Sequence, residues 1–259
     1  LAAFGLTEPG AGSDAGGTRT MARLQDDQWV IDGSKAFITN SGTSITKLIT
    51  VTAVTGPGRE ISTIVVPTPT GGLTVEPGYS KVGWHASDTH PLSFDGVRVP
   101  AENLLGEPGR GYANFLRILD EGRIAIAALA VGAAQGCLDE SVRYAKEREA
   151  FGRPIGANQA IAFKLARMQA RAHTARLAYY DAAARMSAGL AFKAQASIAK
   201  LVASEAAMDN ARDATQIFGG SGFINDTPVA RHYRDSKILE VGEGTSEVQL
   251  MLIARDLGL

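Results

Sequence analysis

Near the end of the chain runs Arg234-Asp-Ser-Lys-Ile-Leu-Glu-Val-Gly-Glu-Gly-Thr-Ser-Glu-Val-Gln249, in which one carboxylate, Glu243, lies between two glycines. Glycines on both sides let the backbone bend sharply and approach a ligand closely. Thr245 or Ser246 is placed to cap a helix that continues to Leu257. A carboxylate held on such a turn is suited to act as a general base.

Length and composition indicate a globular chain with two domains. The 259 residues are many for a single hydrophobic core, and 45% of them are hydrophobic and 20% charged. A net charge of −1 gives no basis for binding nucleic acid or an anionic membrane surface. The single cysteine, Cys137, is expected in a helical core, and the four histidines lack metal-ligand spacing. We therefore expect no metal site, no nucleic acid partner and no membrane association.

The first part of the chain, residues 1–108, has the pattern of β structure. Residues 18–24 and 29–37 are extended runs joined by a short polar turn, which predicts a hairpin. Further β-branched runs follow at 48–52, 61–66 and 92–99, separated by Gly and Pro clusters. Because no helical pattern intervenes, we expect antiparallel strands that close into a small barrel or sandwich.

From about Asn114 the apolar period becomes helical, so residues 109–259 are predicted to form an α-helical domain. Three long helices are indicated, with apolar stripes at Phe115, Leu119, Ile126, Leu129, Ala133, Gly136 and Val142, at Ile161, Leu165, Met168, Ala172, Ala175 and Tyr179, and within 192–217. Long alanine-rich helices pack closely, which favours an up-down arrangement like a four-helix bundle. A β domain followed by a helical domain makes the fold class α+β, segregated along the chain. The helices are too long to cover one another, which predicts an oligomer.

Two motifs at opposite ends of the chain resemble the acyl-CoA dehydrogenase family. The stretch 234–249 resembles the signature around the glutamate that removes a proton from the substrate, and Ala3-Phe-Gly-Leu-Thr-Glu-Pro-Gly-Ala-Gly-Ser-Asp14 resembles a second signature. The resemblance covers essentially the whole chain. It implies a middle β domain that binds flavin and acyl-CoA, and a C-terminal helical domain that carries the base and the oligomer contacts. Members usually have a further helical domain upstream, which we expect to be absent from this chain.

The resemblance implies FAD as the cofactor and assigns residues to bind it. These are Phe4, Leu6, Thr7, Gly12, Ser13, Phe37, Ile38, Thr39, Arg148, Phe151, Ile155, Gln159, Gln216, Ile217, Gly219, Gly220, Thr245 and Glu247. The stretches around Arg148 and Gln216 are expected to reach FAD held by a neighbouring subunit, which implies a dimer of dimers. The residues expected to bind acyl-CoA are Ser13, Asp120, Arg123, Gly242 and Gly244.

Simpler structural explanations exist for three of these motifs. Gly10-Ala-Gly-Ser-Asp-Ala-Gly16 nearly fits a dinucleotide fingerprint but lacks a following helix, so it is a phosphate-cradling loop or only a glycine-rich surface loop. Phe37 is either a ring that stacks on the flavin or a core residue. Gly219 and Gly220 are explained equally well as the C-cap of a helix.

Three positions depart from what is common in the family. Phe37 stands where many members have tryptophan, which keeps a stacking surface without an indole donor. Gly242 replaces a tyrosine immediately before the base, which favours short or α-branched acyl chains. Gly122 occupies the position, next to Arg123, where some branches carry their base. Because glycine cannot accept a proton, the base is expected to be Glu243, and a buried Arg123 is expected to be paired.

The reaction implied by the resemblance is flavin-dependent α,β-dehydrogenation of an acyl-CoA thioester to the trans-2-enoyl-CoA, as in fatty acid β-oxidation. Glu243 would take the α-proton while the β-hydride passes to FAD N5, with the Glu243 backbone N–H helping to polarise the thioester carbonyl. An acyl-CoA oxidase that uses oxygen, or a non-catalytic or truncated flavoprotein of the same fold, are the alternatives. Electron-transferring flavoprotein is the expected acceptor and a homotetramer the expected assembly. The expected location is the cytoplasm of a bacterium or the mitochondrial matrix of a eukaryote.

Overall fold

The computed structural model describes residues 1–259 and consists of two compact units, Leu1–Arg117 and Ile118–Leu259. We refer to the first as the sheet unit and to the second as the helical unit. The division falls after Arg117, inside the first long helix, whereas the predicted β domain ends at residue 108. Strands precede helices along the chain, so the predicted segregated α+β class is confirmed.

Eight strands form one sheet in the sheet unit. In chain order they are β1 (Ala2–Gly5), β2 (Met21–Gln25), β3 (Gln28–Thr39), β4 (Leu48–Val54), β5 (Ile61–Pro67), β6 (Leu73–Val75), β7 (Thr89–Pro100) and β8 (Leu104–Leu105). Their order in the sheet is β6-β7-β3-β2-β4-β5-β8, and β1 pairs with β4. Most neighbours are antiparallel, as predicted, but β1 runs parallel to β4 and β2 meets β4 in parallel at one residue pair.

The β2–β3 hairpin, which the sequence predicts, closes through Asp26 and Asp27. Both residues have positive φ, 48° and 57°. A two-residue hairpin turn needs this conformation to match the twist of its strands, and aspartate tolerates it better than most residues. β3 then continues for 12 residues and pairs with β7 on its other edge. The last three residues of this strand are the candidate cofactor residues Phe37, Ile38 and Thr39.

Alternating side chains of the strands form the core of the sheet unit. Six aliphatic side chains of this core are fully or almost fully inaccessible to solvent: Ile31, Ile49, Val51, Ile64, Val66 and Leu92. Burying one side chain of this size stabilises the folded state by about 1.5–3 kcal/mol relative to leaving it exposed. This core fixes the backbone of β3, which carries the candidate cofactor residues Phe37, Ile38 and Thr39 at its end.

Five helices follow the sheet. They are α1 (Gly111–Glu147), α2 (Gln159–Ser187), α3 (Lys193–Phe218), α4 (Pro228–Val241) and α5 (Ser246–Asp256), with a small hairpin of β9 (Glu149–Ala150) and β10 (Arg153–Pro154) between α1 and α2. In the helical unit α3 packs against α2, α4 and α5. No helix combines the length and the continuous apolar character that a membrane span requires.

The apolar stripe predicted for α2 is confirmed, but the stripe predicted for α1 is wrong by about one position. Leu129, placed on the buried face by the pattern, is 49% exposed, whereas Ala127, Ala130 and Ala134 are fully buried. Alanines occupy the buried face because they let helices approach closely, whereas hydrophobicity alone favours the larger leucine. Cys137 is buried as expected, and burial raises the pKa of its thiol to about 12.

Candidate active site

Glu243 lies on a left-handed turn between two helices. α4 ends at Val241 and α5 begins at Ser246, and in between Glu243 has φ 56° and Gly244 has φ 92°. A glutamate in this region is uncommon and costs conformational energy, which surrounding contacts must offset. Thr245 caps α5, since its side-chain oxygen accepts a hydrogen bond from the Val248 N–H at 3.3 Å, as the sequence predicts.

Two buried side chains, Lys200 and Gln249, donate hydrogen bonds to the backbone of this turn. The ammonium group of Lys200, on α3, donates a hydrogen bond to the Gly244 carbonyl at 2.7 Å. The Gln249 side-chain amide donates to the same carbonyl at 2.9 Å and to the Glu243 carbonyl at 3.3 Å. Neither residue was identified from the sequence. The signal that could have identified Lys200 is a lysine within an alanine-rich apolar stripe, 43 positions before Glu243.

Arg123 and Gly122 border the Glu243 carboxylate from α1. Arg123 is buried and paired with Asp120 at 2.6 Å, as the cost of burying a lone guanidinium requires, and Lys193 binds the other Asp120 oxygen at 3.3 Å. A Cβ atom on Gly122 would lie 2.8 Å from Oε2 of Glu243. The position where some family members carry their base therefore adjoins the Glu243 carboxylate.

The surroundings of Glu243 shift its pKa in opposing directions. Burial raises the pKa of the carboxyl above its ordinary value, while the positive charges of Arg123 and Lys200 act to lower it. The carboxylate makes no hydrogen bond or ion pair of its own. A partly buried carboxylate without a partner is ready to accept a proton from a ligand.

A buried ion pair between Lys35 and Glu8 connects the 3–14 motif to β3 in the sheet unit. Lys35 donates to Glu8 at 2.8 Å, to the Leu6 carbonyl at 3.1 Å and to the side-chain oxygens of Thr18 and Thr52, each at 3.1 Å. Burial opposes ionisation of Glu8, but the hydrogen bonds from Lys35 and Thr18 outweigh it and lower the pKa of Glu8 to about 2. The pair thus ties the 3–14 motif to the end of β3, a role that the sequence reasoning missed.

Phe37 projects from a bulge in β3. Its φ is 60°, the register with β7 shifts between Lys35 and Ile38, and its ring is 64% exposed. Bulges of this kind re-aim a side chain out of the regular sheet. The core alternative for Phe37 is therefore wrong, because its ring is largely exposed. The ring contacts Tyr79, with centroids 5.0 Å apart. Thr39 is exposed, whereas the side chain of Ile38 is buried in the core.

The other predicted cofactor residues of the sheet unit lie on and after β1. The Phe4 ring stacks on Phe115 with centroids 4.2 Å apart, and Leu6 is buried. The Thr7 carbonyl accepts the Ala36 N–H at 2.8 Å, which places Thr7 beside the end of β3. Gly12 and Ser13 lie on an exposed loop. One 3₁₀ turn (Ala15–Gly17) and then β2 follow this loop, so the context of a dinucleotide fingerprint is absent.

The remaining predicted residues lie at two turns of the helical unit. Phe151, at φ 55°, forms the tip of the β9–β10 hairpin and its ring is 98% exposed, while Arg148 precedes the hairpin and is also exposed. Ile155, which is partly buried, and the exposed Gln159 follow it. At the second turn Gly219, with φ 58°, is the C-cap of α3, so the capping explanation of this glycine holds. Near Gly219, Gln216 and Gly220 are exposed and Ile217 is buried. Glu247 is exposed and lies in the first turn of α5.

Comparison with known families accounts for both motifs together. Residues 3–97 match the sequence model of the acyl-CoA dehydrogenase middle domain, and residues 109–258 match that of the acyl-CoA dehydrogenase C-terminal domain. The chain belongs to the acyl-CoA dehydrogenase family. Acyl-CoA dehydrogenases are FAD-dependent flavoproteins and oxidoreductases.

Named relatives cover the chain almost completely. The probable acyl-CoA dehydrogenase YngJ of Bacillus subtilis (strain 168) is 50% identical over 261 residues, which is 99% of this chain and 68% of that protein. The short-chain specific mitochondrial acyl-CoA dehydrogenase of Rattus norvegicus is 45% identical over 258 residues, which is 99% of this chain and 63% of that protein. The chain thus spans about two thirds of the length of these acyl-CoA dehydrogenases.

Solved structures of this family have the same fold. Butyryl-CoA dehydrogenase from Megasphaera elsdenii has a TM-score of 0.96 and 44% identity, covering 100% of this chain and 68% of that one. A chain in a structure of the electron transferring flavoprotein of Acidaminococcus fermentans also has a TM-score of 0.96, with 40% identity, covering 99% of this chain and 68% of that one.

The residues of the sheet unit fit FAD. An exposed aromatic ring, Phe37, and an exposed hydroxyl, Thr39, lie two residues apart at the end of β3, which suits stacking and hydrogen bonding to a planar ring system. Gly10 and Gly12 have open space where a side chain would lie, so a ligand can approach their backbone closely. Both features agree with the family assignment.

Proposed function

We propose that this chain catalyses α,β-dehydrogenation of an acyl-CoA thioester, with Glu243 as the base that takes the α-proton. The geometry of the Glu243 turn is the observation that carries the proposal. The carboxylate is partly buried, has no partner and is presented by a left-handed residue between two glycines. Burial raises its pKa, so it accepts a proton more readily than an exposed glutamate does.

Each unit has a separate role in this reaction. When bound, FAD supplies the acceptor for the hydride that leaves the β-carbon. In the sheet unit Phe37 and Thr39 would hold the flavin ring, and the loop with Gly12 and Ser13 would hold its phosphates. In the helical unit Glu243 removes the proton, and its backbone N–H donates to the thioester carbonyl as negative charge develops there.

The proposed substrates are short or α-branched acyl-CoA thioesters. The glycine at position 242 leaves space before the base, and its backbone conformation, φ −67° and ψ 155°, is one that any residue adopts. The turn therefore does not require a glycine here, which supports an effect of the missing side chain on the size of the acyl pocket. The name of the Megasphaera elsdenii relative, butyryl-CoA dehydrogenase, supports a short acyl chain.

The proposed partners and location follow those of the relatives. Electron transferring flavoprotein is the proposed electron acceptor, supported by the similar chain in the Acidaminococcus fermentans structure. A homotetramer in which Arg148 and Phe151 reach the FAD of a neighbouring subunit would explain why a phenylalanine ring is 98% exposed at a hairpin tip. The named relatives are bacterial and mitochondrial, which supports the bacterial cytoplasm or the mitochondrial matrix.

Anaerobic titration of the FAD-loaded protein with acyl-CoA thioesters tests the proposal. We expect butyryl-CoA or isobutyryl-CoA to bleach the flavin absorbance band, and palmitoyl-CoA to do so much less. The Glu243→Gln variant should keep the flavin band but bleach on the order of 10²–10⁴ times more slowly. Glu147→Gln, a change at an exposed glutamate of α1, is the matched control and should bleach normally. Normal bleaching by Glu243→Gln would end the assignment of the base.

A further inference from the structure

α3 carries a lysine whose amine is completely shielded from solvent. Lys200 is 0% exposed, and its hydrogen bond goes to the backbone carbonyl of Gly244 at 2.7 Å. No carboxylate forms a direct ion pair with it. A buried ammonium without a direct counter-ion costs free energy of folding, so a lysine at this position needs an explanation other than stability.

The hydrogen bond of Lys200 supports the backbone that presents Glu243. The Gly244 carbonyl follows two successive left-handed residues and lies between the end of α4 and the start of α5. Lys200 and Gln249 both donate to this carbonyl, from α3 and α5 respectively. Because the turn is conformationally costly, these two donors determine where the Glu243 side chain leaves the backbone.

The charge of Lys200 also acts on Glu243. The charged groups that influence Lys200 from the elements around it are Glu240 on α4, Arg123 on α1, Glu243 in the turn and Glu247 on α5. Burial lowers the pKa of Lys200 to about 8, and the three carboxylates oppose this shift, so the amine carries its proton at neutral pH. The Glu243 carboxyl in turn has its pKa lowered by Arg123 and Lys200 against the effect of burial.

We propose that Lys200 is a positioning residue for proton abstraction, which fixes the Glu243 turn through the Gly244 carbonyl and favours the ionised form of the partly buried carboxylate through its positive charge. The inference rests on the proposed function, in which Glu243 is the base. Gln249 shares the first task but not the second, because it is neutral. Variants of Lys200 and Gln249 therefore distinguish the effect of positioning the turn from the effect of the positive charge.

The sign of the pH effect follows from the charge. Glu243 accepts a proton only when it is ionised, so kcat/KM falls as the pH falls through the pKa of the free enzyme's carboxyl. Removing the positive charge of Lys200 takes away one of the two influences that lower this pKa. The acid limb of the kcat/KM profile should therefore move to higher pH in a variant that lacks the charge.

Four variants of the FAD-loaded protein test this, with kcat/KM for butyryl-CoA measured between pH 5 and 8. At pH 7.5 the kcat/KM of Lys200→Met should be at least about tenfold lower than that of the wild type. Its acid limb should move to higher pH by about half a unit to one unit. Lys200→Arg should keep the acid limb of the wild type. Gln249→Met should lose activity without moving the acid limb. Lys146→Met, at an exposed lysine of α1, should change neither.

A direct titration of the carboxyl group gives a second readout that does not depend on turnover. The infrared carboxyl signal of Glu243, isolated by subtracting the Glu243→Gln spectrum, should titrate at higher pH in Lys200→Met. If Lys200→Met does not fold, Lys200→Gln, which keeps a donor but not the charge, should show the same upward move.

An acid limb and an infrared titration that are unchanged in the uncharged variants would overturn the inference. Loss of rate without a pH effect in Lys200→Met would overturn it as well, because a purely structural lysine would behave in that way. A wild-type protein that never reduces its flavin with any acyl-CoA would instead count against the proposed function.

Discussion

The two units each bury one lysine completely, and they use it in different ways. Lys35 in the sheet unit and Lys200 in the helical unit are both 0% exposed, and burial lowers the pKa of each amine to about 8. Lys35 contacts a carboxylate, Glu8, at 2.8 Å. Lys200 contacts only uncharged backbone, and the nearby carboxylate of Glu243 remains without a direct partner.

This difference separates a structural charge from a functional one. In the sheet unit the positive and negative charges neutralise each other, so the pair joins two chain segments and has no reactivity left. In the helical unit the ammonium is held by the Gly244 carbonyl, so its field reaches Glu243 while the carboxylate stays free to accept a proton. Breaking the first arrangement should therefore affect stability, and breaking the second should affect activity.

The largest expected effect is on the stability of the sheet unit. Lys35→Met leaves Glu8 buried without its cation, which typically costs about 3–5 kcal/mol. Both tryptophans, Trp29 and Trp84, lie in the sheet unit, so urea unfolding followed by tryptophan fluorescence reports on this unit. Lys47→Met, at an exposed lysine, is the matched control and should unfold like the wild type. A loss below about 1 kcal/mol in Lys35→Met would mean that the ion pair is not a structural element.

The second expected effect is the acid sensitivity of the same unit. The pKa of Glu8 lies at about 2 in the folded chain, below the ordinary glutamate value of 4.5. Its contribution to stability is therefore present above pH 4.5 and is lost as the pH falls towards 2, in total on the order of 3 kcal/mol. Fluorescence-detected unfolding of wild type and Glu8→Gln should show a smaller pH dependence in the variant over this interval. Parallel curves would contradict the assignment.

Local sequence patterns predicted those parts of the fold that depend on neighbours in the chain. The Asp26-Asp27 hairpin, the long helices and the Thr245 cap follow from residues within a few positions of one another. The Glu8–Lys35 pair and the Lys200–Gly244 hydrogen bond join residues 27 and 44 positions apart, and no local pattern carries that information. The family signatures indicate Glu243 and its neighbours, because a motif includes the residues of a site that are close in sequence. It does not include the distant residues that support them.

The third prediction concerns the space beside the base. Gly122→Ala places a Cβ atom 2.8 Å from the Glu243 carboxylate, which must then move. We expect kcat to fall about tenfold, since small displacements of a catalytic group are costly. Stability should not fall, because alanine is favoured over glycine within a helix by about 0.5–1 kcal/mol.

Gly132→Ala is the matched control for this change. Gly132 lies on the same helix with open space around its Cα, so the variant should gain the same stability and keep full activity. Equal activity of the two variants would mean that the carboxylate is free to move and that its position beside α1 does not matter for the reaction.

The smallest expected effect is the stability change in Lys200→Met, and it is the sharpest test of the comparison. The variant removes one donor from the Gly244 carbonyl, but Gln249 still donates to it at 2.9 Å, so no buried carbonyl is left without a partner. The variant also removes the cost of burying an ammonium. These contributions oppose each other, and we expect a net change within about 1 kcal/mol in urea unfolding followed by circular dichroism at the helical band. A loss as large as that of Lys35→Met would show that both lysines are structural, and the distinction between the two units would then be wrong.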